Sequence, residues 1–333
     1  MDHDLVIDKH MNIYVVFGSI HPPGRIYSYI KYVPSSEATH TPIWRYRGVF
    51  LERVVKRYSI KNVVDATEMY EIPLVYEPAY GVYIPYVSSN DIFEYLYPEI
   101  KIFEIYRRPR NLLEIRLVEL IDDLRSILNI GLRNIGVSGS ILGGFSSEVY
   151  SDIDLLIYGC DNASKIYENI DLILKPIRGT DYINYISNIA SLHNIEIENS
   201  KELYRVYRRG VYKDKNVTII FPSNPCKYPC RIMSQPITCV SARLYVPEKQ
   251  CRALLYPGEV YVEKVIETSL GGYEYDIKKI ILYEGIYSPL AYEGGILQVQ
   301  GSLQRLYDLA TQESYYVISV GSRECPYSIR RAK

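Results

Sequence analysis

Residues Gly136 to Gly159 read GVSGSILGGFSSEVYSDIDLLIYG, and the fold turns on how this stretch is parsed. Asn134 to Ser138 suit a short buried strand, Gly139-Ser140 a tight turn, and Ile141 to Gly144 a short helical segment. From Asp152 to Ile157 the chain alternates. At strand periodicity Asp152 and Asp154 project to one face, while Ile153 and Leu155 project to the other. Two carboxylates one pleat apart repel unless a cation neutralises them, and oxygen-only donors select Mg²⁺ or Mn²⁺ over zinc. The Gly-Ser turn leaves space for a phosphate oxygen to meet backbone N–H groups and the Ser140 hydroxyl. A metal beside such a cradle bridges a nucleotide's phosphates, polarises the attacked phosphorus and stabilises the leaving pyrophosphate, which is nucleotidyl transfer. Taken singly, a Gly-Ser turn and a D-x-D pair are common in solvated loops. Their combination between apolar strands, after a long helical run, points to a site.

Gly139-Ser140, eleven intervening residues and then Asp152-x-Asp154 resemble the signature of the DNA polymerase beta-type nucleotidyltransferase superfamily. The resemblance covers roughly the middle third of the chain. It implies that Asp152 and Asp154 ligate the metal and that Gly139 and Ser140 hold the nucleotide phosphates. It further implies a third carboxylate on a later strand, serving the metal that activates the acceptor hydroxyl. The strand-like Val217-Thr218-Ile219-Ile220-Phe221 offers Thr218 where that acid is expected, and the nearest acid is Asp214 in the turn-like DKN before it. Asp214 is therefore the candidate third catalytic acid, with Glu263 a further carboxylate to consider. The whole chain, including the opening HPPGRIYSYIKYVP, is also similar to a group of archaeal predicted nucleotidyltransferases.

A chain of 333 residues with 47% hydrophobic content can bury two or three modest cores, and no apolar run in it is long enough to span a bilayer. The opening MDHDLVIDKH has neither a basic n-region nor an apolar h-region, so the expectation is a soluble, cytoplasmic protein without a membrane partner. A net charge of −1 argues against an overall electrostatic binder of nucleic acid, leaving room for local basic patches. The 35 Tyr against 6 Phe and 1 Trp read as half-buried strand residues with hydroxyls in water. Abundant Ile, Tyr and Arg suit a thermophile.

The expected fold class is α+β. A central nucleotidyltransferase domain over 109–235, a mixed sheet with flanking helices, lies between an N-terminal α+β domain over 1–108 and a C-terminal β-rich, barrel-like domain over 236–333. In the first part, MNIYVVFGSI and RIYSYIKYV read as strands, Val49 to Tyr58 as helical, and Ile72 to Val87 as β-rich. His21, Arg25 and Lys31 form a weak phosphate-binding set around HPPG, which reads better as a rigid turn. Leu112 to Ile130 are apolar on one helical face, following Pro109. Arg205, Arg208 and Arg209, with Lys213 and Lys215, are the densest basic run of the central part; they suit equally a clamp for nucleotide phosphates or a nucleic-acid backbone, and a charged helix end.

Among six cysteines, the spacing after Cys226 and Cys230 does not suit zinc, since Cys239 and Cys251 are too far apart. A Cys226–Cys230 disulfide is the better reading, with Cys160 and Cys325 free and buried. The expectation drawn from all this is an Mg²⁺- or Mn²⁺-dependent enzyme that moves a nucleoside monophosphate from an NTP to an RNA, protein or small-molecule acceptor. The alternative is a catalytically silent nucleotide- or RNA-binding protein on the same fold.

Overall fold

Apolar and aromatic runs in the first hundred residues build strands, the first two of them buried on both faces. In the computed structural model, which describes residues 1–36, 44–223, 231–271 and 275–332, these are β1 (Leu5–Asp8), β2 (Ile13–Val16), β3 (Arg25–Ser35), β4 (Trp44–Tyr46) and β5 (Val49–Arg53). Helix α1 (Ile60–Met69), β6 (Leu74–Glu77), β7 (Val82–Ser88) and β8 (Ile92–Leu96) follow. The eight strands form one sheet, in the order β4-β5-β3-β2-β1-β8 with β7 on β3 and β6 on β7. Over Val49–Arg53 the helix expected from Val49 to Tyr58 is strand β5 instead: Phe50 and Leu51 pair with Ser35 and Pro34 of β3, and Val49 with Tyr46 of β4, and sheet pairing overrides the local periodicity. The helix begins only after Ser59, whose hydroxyl accepts from the Asn62 amide at 3.2 Å and caps the first turn.

The central elements are α2 (Pro98–Arg107), α3 (Leu112–Leu128), β9 (Ile135–Val137), α4 (Gly139–Gly143), β10 (Ile153–Ile157), α5 (Cys160–Asn169), β11 (Lys175–Pro176), α6 (Gly179–His193), α7 (Ile197–Leu203), β12 (Gly210–Tyr212) and β13 (Lys215–Ile220). Asn111 caps α3 by accepting from the Glu114 amide at 2.9 Å, and Asn129 closes it in the left-handed region, as the amphipathic run requires. The five strands run β11-β12-β13-β10-β9, with β10 and β13 parallel and the other pairs antiparallel. Helix α2 packs against β9, so Ile102 and Ile105 enter this core, although both precede the sequence boundary at 108.

The last part holds β14 (Ile232–Val246), β15 (Gly258–Tyr261), β16 (Lys264–Thr268), β17 (Ile277–Leu282), α8 (Ser288–Glu293), β18 (Gly295–Asp308), β19 (Glu313–Val320) and β20 (Ser328–Arg331). These seven strands run β15-β17-β19-β18-β14-β16, with β20 on β18. Among the described residues this sheet has two ends, β15 and β16, and is open where a barrel was expected. The molecule is thus mixed α+β, with three sheets and eight α-helices among the described residues, and no helix there is long and apolar enough to cross a membrane.

Packing joins the three sheets. One core runs without interruption from α3, β9 and β10 into β14, β17 and β18, and Leu142 and Phe145 after the Gly-Ser turn enter the N-terminal core beside Leu5, Ile13 and Tyr32. Phe145 meets the rings of Tyr32 and Tyr46 edge-on at 5.2 and 6.5 Å, a favoured aromatic geometry. Cys160 and Cys325, expected to be free, are both disulfide-bonded, Cys160 to Cys251 and Cys239 to Cys325. Spacing could not show this, because the partners stand 91 and 86 residues apart in sequence and only the tertiary fold brings them together. Cys226 and Cys230 lie outside the described residues.

Candidate functional site

Strand β10 emerges from a loop that Ser151 ties together, its hydroxyl contacting that of Ser140 at 3.0 Å and accepting from the Ser147 amide at 2.9 Å. The Ser138 amide donates to the Asp154 carbonyl at 2.9 Å, which fastens the Gly-Ser turn to the strand that carries the acid. Gly139 has φ +62°, and a Cβ there would run into the Asp154 carboxylate. Only glycine meets both demands. The turn and the acid, twelve or more residues apart in sequence, therefore touch.

Asp154 sits within β10, directly across the parallel pairing from Thr218 of β13. In-register neighbours point to the same face, so Thr218 holds the position at which the sequence resemblance calls for a third carboxylate. Asp152 stands just ahead of β10, and its carboxylate accepts from the Arg209 guanidinium at 2.6 Å. Asp214 is placed elsewhere: it lies in the β12–β13 turn, half-exposed, with its carboxylate 2.9 Å from Arg116 of α3, and that pairing holds it below the usual carboxylate range. Three residues of β13, Lys215 to Val217, separate it from Thr218, roughly 13 Å of rise over the four steps. Glu263 is in the turn between β15 and β16, its amide bonded to the Tyr245 carbonyl.

The basic run divides. Arg209 reaches the acids, but Arg205 pairs with Glu293 and donates to the Tyr167 hydroxyl, and Arg208 donates to the Gly285 carbonyl at 2.6 Å. Arg205 and Arg208 thus tie the central part to the third sheet. Lys213 pairs with Glu119 at 2.8 Å, and the Lys215 ammonium donates to the Glu148 carbonyl.

The cations nearest Asp154 come from the first sheet. Lys31 of β3, only 8% exposed, and Arg53 at the end of β5 both act on Asp154 and both hydrogen-bond the Tyr58 hydroxyl. Their charges lie 5.3 and 5.4 Å from the Tyr58 ring centre. Burial raises the Asp154 carboxyl above its ordinary value; Lys31 opposes this, Asp152 adds to it, and Arg53 and Arg209 oppose it. Burial also pushes the Tyr58 hydroxyl up, yet Lys31 and Arg53 outweigh it and leave the phenol below its ordinary value. His21 and Arg25 take no part: the His21 ring accepts from the Tyr27 amide at 3.1 Å, and Arg25 lies over Tyr86. Arg53 and Tyr58 were missed in the sequence because they fall in a segment read as helical. Lys31 was named in the sequence with His21 and Arg25 as a weak phosphate-binding set, and of the three only Lys31 acts on Asp154.

Two carboxylates and the Thr218 hydroxyl are hard oxygen donors. They suit one Mg²⁺ or Mn²⁺ completed by substrate oxygens and water, the usual way Mg²⁺ is bound beside phosphates. No group of three or more His, Cys, Asp or Glu side chains able to hold a metal occurs among the described residues, so Asp152 and Asp154 stand here without a third such ligand. Comparison of the chain with family models, with curated proteins and with solved structures finds no match in any of the three.

Proposed function

We propose that the chain is a metal-dependent nucleotidyltransferase that moves a nucleoside monophosphate from an NTP to an acceptor with release of pyrophosphate. The observation that carries this reading is the contact of the Gly139 turn with Asp154, with Asp152 alongside and three cations converging from two sheets. Asp152 and Asp154 would hold one divalent ion, which supplies Lewis-acid polarisation of the phosphates when bound. Gly139 and Ser140 let the triphosphate approach the backbone. Lys31, Arg53 and Arg209 neutralise its charge, and Lys31 and Arg53 stand in for the positive charge of a second ion. Arg209, paired with Asp152 in this structure, would be free to pair with the phosphates when Asp152 holds the ion. Nucleotidyl transfer remains the function of the central part in this proposal, with the other two parts supplying cations and packing.

A second reading is favoured by Thr218: with no acid there, the same pocket holds a nucleotide without turning it over. Label transfer from each NTP in Mg²⁺, measured in wild type and Thr218→Asp, separates the two. Turnover by wild type that is lost in Asp154→Asn supports the enzyme. Nucleotide binding without turnover, with activity appearing in Thr218→Asp, supports the silent binder. Absence of nucleotide binding overturns both.

A further inference from the structure

The two disulfides differ in their access to solvent. Cys160 and Cys251 pack against the main core, whereas Cys239 is exposed on β14. Its partner Cys325, only 7% exposed, lies in residues 321–327, which form neither helix nor strand between β19 and β20. Strand β14 is paired with β18 from Ile232 to Val246, so the bridge fastens an irregular segment to a firmly laddered strand. What that segment touches is the start of α1. Gly321, at φ +106°, lies so close that a Cβ there would come within 2.9 Å of the Ile60 side chain. Arg323 pairs with Glu68. The Tyr327 hydroxyl and the Ile60 amide donate to the same Glu284 oxygen, at 3.0 and 2.9 Å.

Without the bridge these ties hold the segment weakly. Arg323 and Glu68 are each more than half exposed, where an ion pair contributes little, and Gly321 offers a close fit but no side chain of its own. Helix α1 depends on such neighbours. It has 10 residues and buries Ala66 and Thr67, and a helix that short is marginal without tertiary contacts. Its cap, Ser59, directly follows Tyr58, and Tyr58 and Arg53 both interact with Asp154. The covalent tie at Cys325 thus limits how far residues 321–327 can leave α1, and α1 anchors the chain that carries two groups of the candidate site.

We propose that Cys239–Cys325 is a reducible latch: closed, it keeps residues 321–327 on α1, and opened, it loosens both and weakens the placement of Tyr58 and Arg53 at the acids. The co-reactant is a dithiol. Its thiolate attacks the exposed Cys239 sulfur, the S–S bond breaks, and Cys325 leaves as a thiolate that takes up a proton. The second thiol then attacks the mixed disulfide and releases Cys239, so two electrons pass from the dithiol, which ends as a disulfide, to the two cysteines, which end as thiols. The effect on α1 needs no nucleotide; the effect at the acids rests on the nucleotidyl-transfer reading above. Hydrogen exchange is measured by mass spectrometry on the full chain, oxidised and in dithiothreitol, with Cys239→Ser and Cys160→Ser/Cys251→Ser in parallel. Reduction should open Cys239–Cys325 before Cys160–Cys251, read from alkylated peptides, and should speed exchange over residues 60–69 by about tenfold. Cys160→Ser/Cys251→Ser should respond as wild type does, and Cys239→Ser should exchange fast with or without reductant. Titrated with each NTP and Mg²⁺, Cys239→Ser should bind about threefold more weakly than oxidised wild type. The latch is overturned if Cys160–Cys251 opens first, if exchange over residues 60–69 is equal in closed and open chains, or if Cys239→Ser still responds there to reductant. Unchanged NTP affinity while α1 loosens overturns the coupling to the acids. A chain that binds no NTP in either state removes the nucleotidyl-transfer reading, and the exchange data alone then decide the latch.

Discussion

At the residue scale, Gly139 and Asp154 are one device. Gly139→Val adds a branched side chain at φ +62° and drives it into the Asp154 carboxylate, so nucleotide affinity should fall by at least tenfold, checked by calorimetry with Mg²⁺ and each NTP. Asp152→Asn keeps shape but removes an anionic oxygen, and should weaken Mn²⁺ binding strongly; unchanged affinity in Asp152→Asn and in the double variant with Asp154→Asn would reject the proposed ligands. His193 gives a pH prediction of definite sign. Its folded pKa, lowered from 6.5 to about 4, means that the stability from keeping it neutral is full above pH 6.5 and is lost as pH falls towards 4. Across that window the loss is about 3 kcal/mol. A His193→Gln variant should show a flatter stability curve between pH 6.5 and 4 in denaturant titrations; an unchanged slope would show that His193 does not carry the effect.

At the element scale, the segment from Arg53 to Ile60 does three things in succession. Arg53 and Tyr58 face the acids, Ser59 caps α1, and the Ile60 amide donates to the Glu284 carboxylate at 2.9 Å. Glu284 also accepts from the Tyr327 hydroxyl at 3.0 Å, so a carboxylate 6% exposed joins the first helix to the third sheet. Burial nonetheless raises this carboxyl above its ordinary value, against those two bonds. Ser59→Ala should cost about 1 kcal/mol through the lost cap, read from chemical denaturation. Since Tyr58, beside the proposed site, directly precedes the Ser59 cap of α1, the same variant should weaken nucleotide binding more than a surface change of equal stability cost. A matched control such as Lys61→Ala makes that comparison.

At the scale of the whole molecule, the two disulfides close long loops and fasten layers. Cys160–Cys251 joins α5 to the turn before β15, and Cys239–Cys325 joins β14 to the segment before β20. Closing loops of this length stabilises a fold by about 2–4 kcal/mol per bridge. Thermal melts with and without reductant should therefore differ by several degrees, and Cys160→Ser/Cys251→Ser should reproduce part of the difference; identical melts would mean that neither bridge forms. The tyrosines also act on this scale. Tyr14 donates to Asp8 at 3.0 Å, Tyr95 to Asp4 at 2.8 Å and Tyr212 to Asp123 at 2.6 Å, so these hydroxyls are bound to carboxylates where contact with water was expected. A Tyr-for-Phe bias thus builds polar ties into apolar layers.

Local chemistry made much of the centre legible. Asp152 to Ile157 can alternate in only one way, Leu112 to Ile130 are apolar on one helical face, and the Gly-Ser turn announces a backbone conformation that other residues resist. The family resemblance put Thr218 where a third carboxylate was looked for, and the parallel pairing of β10 with β13 sets it across from Asp154. The order of strand-like and helical stretches likewise bounded the mixed α+β class. What the tertiary structure alone decided has one physical character: it depends on contacts between residues far apart in sequence. Lys31, Arg53 and Tyr58 meet Asp154 only because β3 and β5 pack over the central sheet. Arg205 and Arg208 turn from the acids because Glu293 and Gly285 lie within reach, Arg116 claims Asp214, and the cysteines find partners across whole sheets. Val49 to Arg53 became a strand because β3 offered a ladder that local helical periodicity could not match.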